Sequence, residues 1–473
     1  MYTQGEEAVI ALVEGLLERI EKLESRVAQL EGQLSKNSRN SSKPPSGDGF
    51  GKRTKSLRVP SERKTGGQAE HPGQTLEWSN AVDHLEAHRL HQCEGCGASL
   101  ELEPLKSVLA RQVRDVAAVR VEVTEHQVEV KICPCCALEQ QAAFPAGVNS
   151  VVQYGPRLKS MMLYLMEGQL LPSNRTCEVL SDVLGVRLSE GTLYNTRAQC
   201  FEQLEPLTTA IQGAIVASQV AHFDETGLRV NGKLWWLHVA CTNGLTYYFV
   251  HPKRGRVAMD EMGILPEFES KAIHDGWKSY AGYDCEHFLC NAHHLRELQF
   301  ILERYEQSWA FQMSLLLVTI LRQVQAASDQ GHRRLPPEQL QAFDARYQAI
   351  LDQGLAANPG LAPPPEAAKK RGRTQQSRPR NLLLRLQSEQ ASVLGFMYDF
   401  AVPFDNNQAE RDIRMMKLKQ KISGSFRSAD GVKMFCRIRG YLSTLRKQGQ
   451  NVLDALIALF SGNPKPLLCQ PEQ

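Results

Sequence analysis

The chain has 473 residues, a formal net charge of +3 and a hydrophobic fraction of 42%, which suits a soluble globular protein with several domains. No stretch reaches the roughly 18 uninterrupted apolar residues of a membrane helix, and the N-terminus lacks a basic-then-apolar signal peptide. We therefore expect a cytoplasmic protein with no membrane partner. The 12 cysteines are not arranged as a secreted disulfide framework, so close Cys pairs favour metal ligation.

The first segment, residues 1–34, has apolar residues spaced in alternating steps of four and three. These residues are Val9, Val13, Leu16, Ile20, Leu23, Val27, Leu30 and Leu34. The pattern predicts a coiled-coil helix, because its period is closer to 3.5 than to 3.6 residues. A zipper of this kind implies a homodimer or a higher oligomer. The alternative is an amphipathic helix that packs on its own globule.

Residues 35–75 are rich in Ser, Asn, Pro, Gly, Lys and Arg, and their apolar residues are too sparse for a core. We expect a disordered basic linker. Two interpretations stay open, a solvated tether and an arm that contacts phosphate groups of a nucleic acid.

A metal-binding module is predicted over residues 76–150. The pairs Cys93-x-x-Cys96 and Cys133-x-x-Cys136 flank a valine-rich, strand-like stretch, residues 113–130. Two such pairs around a hairpin-length insert are typical of a zinc ribbon with a structural, tetrahedral Zn²⁺. Cys135 is then the spare cysteine, and free reduced cysteines are the alternative.

Residues 151–215 are expected to be helical, with helices over 157–167, 174–183 and 190–199. Ser189 is a candidate N-cap for the third of these helices, and Gly185 lies in the turn before it. Helix, tight turn and helix form the pattern of a helix-turn-helix DNA-binding region. Many helical bundles contain the same turn, so an ordinary bundle is the other interpretation.

The next segment, residues 220–273, is predicted to contain β-strands. Residues 233–241 and 245–251 predict paired strands across Thr242-Asn243-Gly244. Asp224 is expected at the end of a first strand, and Asp275 at the end of a fourth strand over 271–276. Glu410 is expected near the start of a helix that follows a turn made by Pro403 and two Asn residues. Two strand-end carboxylates and a third on a helix are suitable oxygen ligands for a pair of divalent cations.

The region from about 304 to 394 is predicted to be a helical insertion, broken by a Pro- and Ala-rich segment, residues 358–368. A basic run follows this break, at Lys369, Lys370, Arg371 and Arg373, and is interpreted as a solvated loop. From Asp405 to Lys447 the chain carries eleven Lys or Arg against four Asp or Glu. We expect a cationic surround that suits a polyanionic substrate, formed by Lys417, Lys419, Lys421, Arg427, Arg437 and Arg439.

Several motifs resemble those of the insertion sequence 66 family of bacterial transposases. They are the N-terminal zipper, the paired CxxC module, Phe223-Asp224-Glu225-Thr226, His274-Asp275-Gly276-Trp277, Asn406-Asn407-Gln408-Ala409-Glu410-Arg411 and Lys419-Gln420-Lys421-Ile422-Ser423-Gly424. The resemblance covers nearly the whole chain in the family's order. One departure is the lack of Gly after the second CxxC pair.

The resemblance implies a multidomain α/β protein. Its RNase H-like catalytic core would span residues 216–447, with the helical insertion inside it and a C-terminal tail over 448–473. The implied DDE triad is Asp224, Asp275 and Glu410 with two Mg²⁺, and the implied zinc ligands are Cys93, Cys96, Cys133 and Cys136. The implied DNA partners are terminal inverted repeats and target DNA, and accessory proteins of the same element are further expected partners.

The reaction implied by the resemblance has two steps. Water cuts the DNA at the transposon end, and the freed 3′-OH attacks target DNA in line, without a covalent protein–DNA intermediate. Candidate DNA contacts are Arg411, Arg414, Lys417, Lys419, Lys421 and Arg427. Arg411 and Arg414 would otherwise form salt bridges with Asp412 or Asp405. Asp412 is also the substitute if Glu410 is not the third carboxylate.

Cys290-x-x-His293 resembles a CxxH feature of several DDE transposases. Core packing or helix positioning is the favoured role, because two ligands are too few for a metal site. Two other functions share parts of the pattern. One is a structure-specific RNase H-like nuclease, and the other is a non-catalytic DNA-binding regulator.

Overall fold

The computed structural model describes residues 6–37, 40–41, 76–117, 119–360 and 376–468. The chain divides into two compact units, Met1–Thr54 with Thr124–Gln473, and Lys55–Val123. Most of the predicted basic linker lies outside the described residues. The basic run at Lys369, Lys370, Arg371 and Arg373 lies outside them as well.

Helix α1, Glu6–Leu34, confirms the predicted N-terminal helix. Seven apolar side chains of its heptad pattern are exposed: Val13, Leu16, Ile20, Leu23, Val27, Leu30 and Leu34. The end of the helix is attached to its own unit, since Arg304 pairs with Glu31 at 2.8 Å. None of the described residues therefore buries the apolar stripe of α1. Its pairing with a second helix in a coiled coil stays a prediction.

The predicted valine-rich strand is wrong over most of its length. Only Val130 lies in a strand, β1 (Val130–Ile132), which pairs antiparallel with β2 (Glu139–Gln141) around the second cysteine pair. Val113, Val116, Val119, Val121 and Val123 are exposed, and Val128 is only partly buried. Strand propensity reflects packing on a half-buried surface, and these residues have no such surface to pack on.

The helical region confirms the three predicted helices to within a few residues at their ends and adds a fourth. Its helices are α2 (Pro156–Leu163), continued by a π-helical turn over Tyr164–Gly168, α3 (Ser173–Leu184), α4 (Glu190–Gln203) and α5 (Glu205–Val216). Ser189 caps α4, because its hydroxyl accepts from the Thr192 N–H at 3.1 Å. Gly185 ends α3 with a φ of 67°, a left-handed conformation that glycine adopts at little cost.

A five-stranded mixed sheet follows, in the order β5-β4-β3-β6-β7. Its strands are β3 (Val220–Val230), β4 (Lys233–Cys241), β5 (Thr246–His251), β6 (Lys271–His274) and β7 (Glu286–Leu289). The first three are antiparallel, while β6 runs parallel to β3 and β7 parallel to β6. The β4–β5 hairpin is confirmed. Strand β7 was not among the predicted strands.

The remaining helices cover the sheet and build the insertion. They are α6 (Arg256–Met262), α7 (Asn291–Tyr305), α8 (Ser308–Asp329), α9 (Pro337–Ala357), α10 (Arg378–Ser388), α11 (Gln390–Tyr398), α12 (Asn407–Ser423), α13 (Ala429–Lys447) and α14 (Val452–Phe460). Helix α14 lies in the predicted C-terminal tail, and its buried Leu456 and Leu459 pack in a core with Leu442 of α13. That tail is therefore partly a packed helix.

Helix α8 is long and apolar enough to span a membrane, by length and composition alone. It is also the centre of the insertion's own core. Trp309, Met313 and Leu316 on α8 are fully or almost fully buried, and they pack in one cluster with Tyr347 of α9 and Leu383 of α10. This burial is typical of a core helix.

The contact between α11 and β7 gives a stability prediction. A Cβ added to Gly395 in α11 would overlap the ring of Phe288 in β7. We expect Gly395→Ala to lower the free energy of unfolding by about 1–3 kcal/mol, the usual cost of overpacking a core, as measured by urea denaturation. Gly213→Ala is the matched control, because Gly213 is an exposed helical glycine with nothing within 4 Å of the added Cβ. A comparable loss in both variants would contradict this explanation.

Candidate active site

Asp224 and Asp275 lie level with each other on neighbouring parallel strands. His222 in β3 pairs in register with Ile273 in β6, and each aspartate lies two residues beyond this pair. Neighbouring strands are about 4.8 Å apart, so the register alone brings the two carboxyl groups into one region. The prediction that Asp224 ends its strand is wrong, since β3 continues to Val230 on its pairing with β4.

Asp275 follows β6 in a turn that two histidines hold. The Gly276 N–H donates to Nδ1 of His274 at 3.0 Å, so Nε2 of His274 carries the hydrogen and donates to Nδ1 of His287 at 3.0 Å. Burial, together with His287, lowers the pKa of His274 to about 3, which keeps His274 neutral. The exposed Asp275 carboxylate then accepts from the Trp277 N–H at 2.9 Å.

Glu410 lies in the first turn of α12, as predicted. Nη2 of Arg296 donates to its carboxylate at 3.2 and 3.5 Å. Nδ1 of His293 lies 3.7 Å from Oε1 of Glu410. Both neighbours come from α7, so the N-terminal half of this helix faces the start of α12.

Asn406 joins α12 to the sheet. Its Nδ2 donates to the Phe223 carbonyl at 2.7 Å, and its Oδ1 lies 2.9 Å from Nδ1 of His222. Its backbone N–H donates to Sγ of Cys290 at 3.1 Å, and its carbonyl accepts from the Glu410 N–H at 3.2 Å. The sequence predicts only a turn-forming role for Asn406, because a pattern does not show which strand a side chain reaches.

The two ends of the helical insertion meet at the same place. The Asn291 N–H at the start of α7 donates to the Phe404 carbonyl at 3.0 Å. The Asn291 side chain donates to the Val393 carbonyl at 2.9 Å. The chain therefore leaves the sheet and returns to it through residues that are bonded to each other.

The three carboxyl groups share one electrostatic environment. Burial raises the pKa of Asp224 well above its ordinary value, and the charges of Glu225, Asp275 and Glu410 raise it further. The Glu225 N–H opposes this shift by donating to Oδ1 of Asp224 at 2.8 Å. Excess negative charge of this kind is relieved by a bound cation.

Glu225, next to Asp224, has its own set of partners. Burial raises its pKa, and hydrogen bonds from Tyr280 and Arg254 oppose the rise. The Tyr280 hydroxyl donates to Oε2 at 2.6 Å, and Nε of Arg254 donates to Oε1 at 2.9 Å. The Arg254 guanidinium lies 4.9 Å from the ring centroid of Trp236 and 4.1 Å from that of Trp277. Arg254 is not predicted as a site residue, because no motif or spacing in the sequence identifies it.

Potential metal ligands also meet at Cys290, His293 and Glu410. One ligand atom from each lies within 4.8 Å of the other two. Within the described ranges, Asp224, Asp275 and Glu410 do not form a cluster by the same distance criterion. Asp412, the substitute third carboxylate, instead accepts from Nζ of Lys447 at 2.8 Å.

The predicted DNA contacts divide by exposure. Four of the basic side chains are exposed: Arg411, Arg414, Lys421 and Arg427. Lys417 is partly covered and donates to the Gly227 carbonyl at 2.7 Å. Lys419 lies 3.9 Å from the ring centroid of Phe426, and burial lowers its pKa to about 8.

Two other basic residues do not surround the acidic centre, contrary to the prediction. Arg439 is buried and donates to the Glu167 carbonyl at 2.9 Å. Arg437 pairs with Glu205 and donates to the Phe201 carbonyl at 2.9 Å. Both arginine side chains therefore help to hold α13 against the preceding helices.

The two cysteine pairs have the same local backbone structure. The Gly97 N–H donates to the Cys93 carbonyl at 2.9 Å, and the Ala137 N–H donates to the Cys133 carbonyl at 2.9 Å. Gly97 has a φ of 73° and Ala137 a φ of 59°, so Ala137 adopts the left-handed conformation of its glycine counterpart.

Backbone N–H groups also act on the first cysteine of each pair. Those of Cys96 and Gly95 lower the pKa of Cys93, and those of Cys136 and Cys135 lower the pKa of Cys133. Lower thiol pKa values favour the thiolate form that binds metals.

Comparison with known families gives two matches. A family model described as Transposase IS66 family matches residues 151–434. A second model, described as a family of unknown function (DUF6444), matches residues 3–77. No curated protein matches the chain.

The Asn406 contacts generate a prediction. We expect Asn406→Ala to lower the free energy of unfolding by about 2–3 kcal/mol, because it leaves the Phe223 carbonyl and His222 without their buried partner. Asn407→Ala is the control, since the side chain of Asn407 donates to the neighbouring Asp405, and it should cost less than about 1 kcal/mol. Urea denaturation of both variants tests this, and equal losses would show that the turn matters rather than the contacts of Asn406.

Proposed function

We propose a function in DNA cutting and joining from the premise that the chain belongs to the IS66 family of transposases, whose model covers residues 151–434. A transposase acts on DNA, so DNA is the partner. The finer proposal is that the chain binds the terminal inverted repeats of an insertion sequence, cuts at its ends and joins the 3′-OH to target DNA.

An RNase H-like core is proposed for the sheet and the helices packed on it. The support is the strand order β5-β4-β3-β6-β7, with three antiparallel strands followed by two parallel ones. The observation that carries the proposal is the placement of the acids on this sheet. Asp224 and Asp275 lie level on β3 and just after β6, and Glu410 on α12 raises the pKa of Asp224.

The proposed ligands of two Mg²⁺ are Asp224, Asp275 and Glu410. The donor set fits, because carboxylate oxygens are the ligands that Mg²⁺ prefers and because repulsion among these groups already raises the pKa of Asp224. When bound, Mg²⁺ would supply positive charge to stabilise phosphodiester cleavage and lower the pKa of the attacking hydroxyl group.

The chain's own residues hold this arrangement and attract the substrate. Arg296 orients Glu410 through a charged hydrogen bond at 3.2 Å. Arg254 and Tyr280 fix Glu225 behind Asp224. The exposed cations on α12 and after it would contact DNA phosphates, which gives affinity without base specificity.

Substitution of the carboxylates tests the function. We expect Asp224→Asn, Asp275→Asn and Glu410→Gln each to reduce cleavage and strand transfer by at least about 100-fold, the scale of removing one preorganised charged group. Binding to inverted-repeat DNA should remain in all three variants. The assay measures cutting of labelled transposon ends and joining of pre-cut ends.

Asp284→Asn removes an exposed carboxylate and is the control with unchanged rates. Retained cleavage in Glu410→Gln would place the third carboxylate elsewhere. Cleavage without any strand transfer by the unaltered protein would favour a structure-specific nuclease. DNA binding without either reaction would favour a regulator.

Structural zinc is proposed at the thiolates of Cys93, Cys96, Cys133 and Cys136. The support is the local structure of each pair, in which backbone N–H groups lower the pKa of the first thiol. In addition, none of the described residues of the predicted metal-binding module, 76–150, is buried. A module without a core gains much of its folding free energy from a bound metal.

Zinc content separates the proposed ligands from the spare cysteine. We expect Cys133→Ser to lose the zinc that remains bound after dialysis, whereas Cys135→Ser should keep it. The two cysteines lie in the same turn, so the pair of variants is closely matched. Metal analysis of the purified proteins checks the result, and equal zinc in both would contradict the assignment of Cys133.

We also propose self-association through α1 and DNA binding by the helical region. The exposed apolar stripe of α1 supports the first role, since a second copy of the helix would cover it. Helices α3 and α4, joined at Gly185, support the second as a helix-turn-helix pattern.

A further inference from the structure

One cluster of potential metal ligands differs in chemistry from the three carboxylates. Cys290 is the residue before α7, and His293 lies in its first turn. The third member is Glu410 on α12, and the three ligand atoms lie within 4.8 Å of one another. The sequence shows only two ligands here, because Glu410 is distant in the chain and joins them only through the fold.

The cysteine of this cluster already has a hydrogen-bond donor directed at its sulfur. The Asn406 N–H donates to Sγ of Cys290 at 3.1 Å. Burial raises the pKa of this thiol to about 12, and the backbone N–H groups of Asn406 and His293 oppose the rise. Donors of this kind stabilise a metal-bound thiolate and fix its direction.

The histidine is available as a ligand. Nδ1 of His293 is buried and has no hydrogen-bond partner in the described part of the chain. It lies 3.7 Å from Oε1 of Glu410. Two ligands of one tetrahedral zinc ion are about 3.4 Å apart, given metal–ligand distances of about 2.0–2.2 Å. A shift of a few tenths of an ångström would therefore allow both atoms to bind one ion.

We propose that Cys290, His293 and Glu410 form a site for a thiophilic divalent cation such as Zn²⁺ or Cd²⁺. Thiolate and imidazole ligands select soft or borderline cations over Mg²⁺. Three protein ligands leave a fourth position open to water. Nη2 of Arg296 now donates to both carboxylate oxygens of Glu410, so a cation bound through Oε1 would compete with one of these two contacts.

This site has a consequence for catalysis that rests on the proposed function. Glu410 cannot serve the thiophilic cation and the proposed Mg²⁺ site fully at the same time. Occupation of the cluster would therefore inhibit DNA cleavage. The structure assigns the cluster an inhibitory role, distinct from the structural zinc proposed at the CxxC pairs.

Binding is tested with Cd²⁺ on the full-length, zinc-loaded protein. Sulfur-to-cadmium charge-transfer absorption reports thiolate ligation without any need for activity. We expect a saturable component of the signal that Cys290→Ser removes and that His293→Ala weakens at least about tenfold in affinity, whereas any component from the CxxC thiolates should remain in both variants. His293→Ala keeps the thiol, so it remains informative if Cys290→Ser does not fold.

Two controls retain the cluster. Cys177→Ser removes a partly buried thiol of α3 and should leave the signal unchanged. Asp275→Asn should also keep the signal while it loses cleavage, which separates this site from the Mg²⁺ ligands. An identical signal in the unaltered protein and Cys290→Ser would overturn the proposal, and Cys290 would then only accept the Asn406 N–H.

Inhibition of cleavage is the second measurement. Each protein is compared with its own rate in Mg²⁺ alone. We expect Cys290→Ser to need at least about tenfold more Cd²⁺ for half inhibition than the unaltered protein. Equal sensitivity would overturn the inhibitory role. If the unaltered protein cleaves no DNA, the proposed function fails, whereas the cadmium-binding result still decides the site.

Discussion

The position of Glu410 depends on the buried side chain of Asn406. One side chain contacts the Phe223 carbonyl and His222 in β3, while the backbone of the same residue contacts Cys290 before α7 and starts α12. Glu410 is one helical turn further along, so its distance from the sheet is set by these bonds. An amide suits this position because it both donates and accepts. Aspartate in its ordinary ionised form would lack the donor for the Phe223 carbonyl.

A second constraint is electrostatic. Asp224 and Glu225 are adjacent, and the pKa of each is raised by burial and by nearby carboxylates. Arg254 and Tyr280 offset the charge of Glu225, and Arg296 offsets that of Glu410. No ion pair of Asp224 is found within the described residues, and the proposed Mg²⁺ would relieve this unfavourable environment. Functional sites often keep unfavourable arrangements of this kind at some cost in stability.

Much of this arrangement could be predicted from the sequence where the signal is local. The β4–β5 hairpin, the Ser189 cap and the start of the Glu410 helix each depend on a few adjacent residues. Features that depend on distant contacts could not be predicted. Asp224 lies inside its strand because β4 continues to pair where β6 has ended. The basic side chain of Arg439 is buried because backbone carbonyls of the π-helical turn accept its hydrogen bonds, and charge counts cannot show this.

The two ends of the helical insertion are hydrogen-bonded to each other, so the geometry of the site does not depend on the length of the insertion. Asn291 and Cys290 at its beginning bond to Phe404 and Asn406 at its end, so the chain between them forms a closed excursion from the sheet. The entropic cost of closing a loop of this kind grows only slowly with the number of residues in it. Helices within it can therefore be lengthened, shortened or exchanged while the carboxylates keep their places. This region is where variation in length should be tolerated most readily, and where a foreign domain could be inserted.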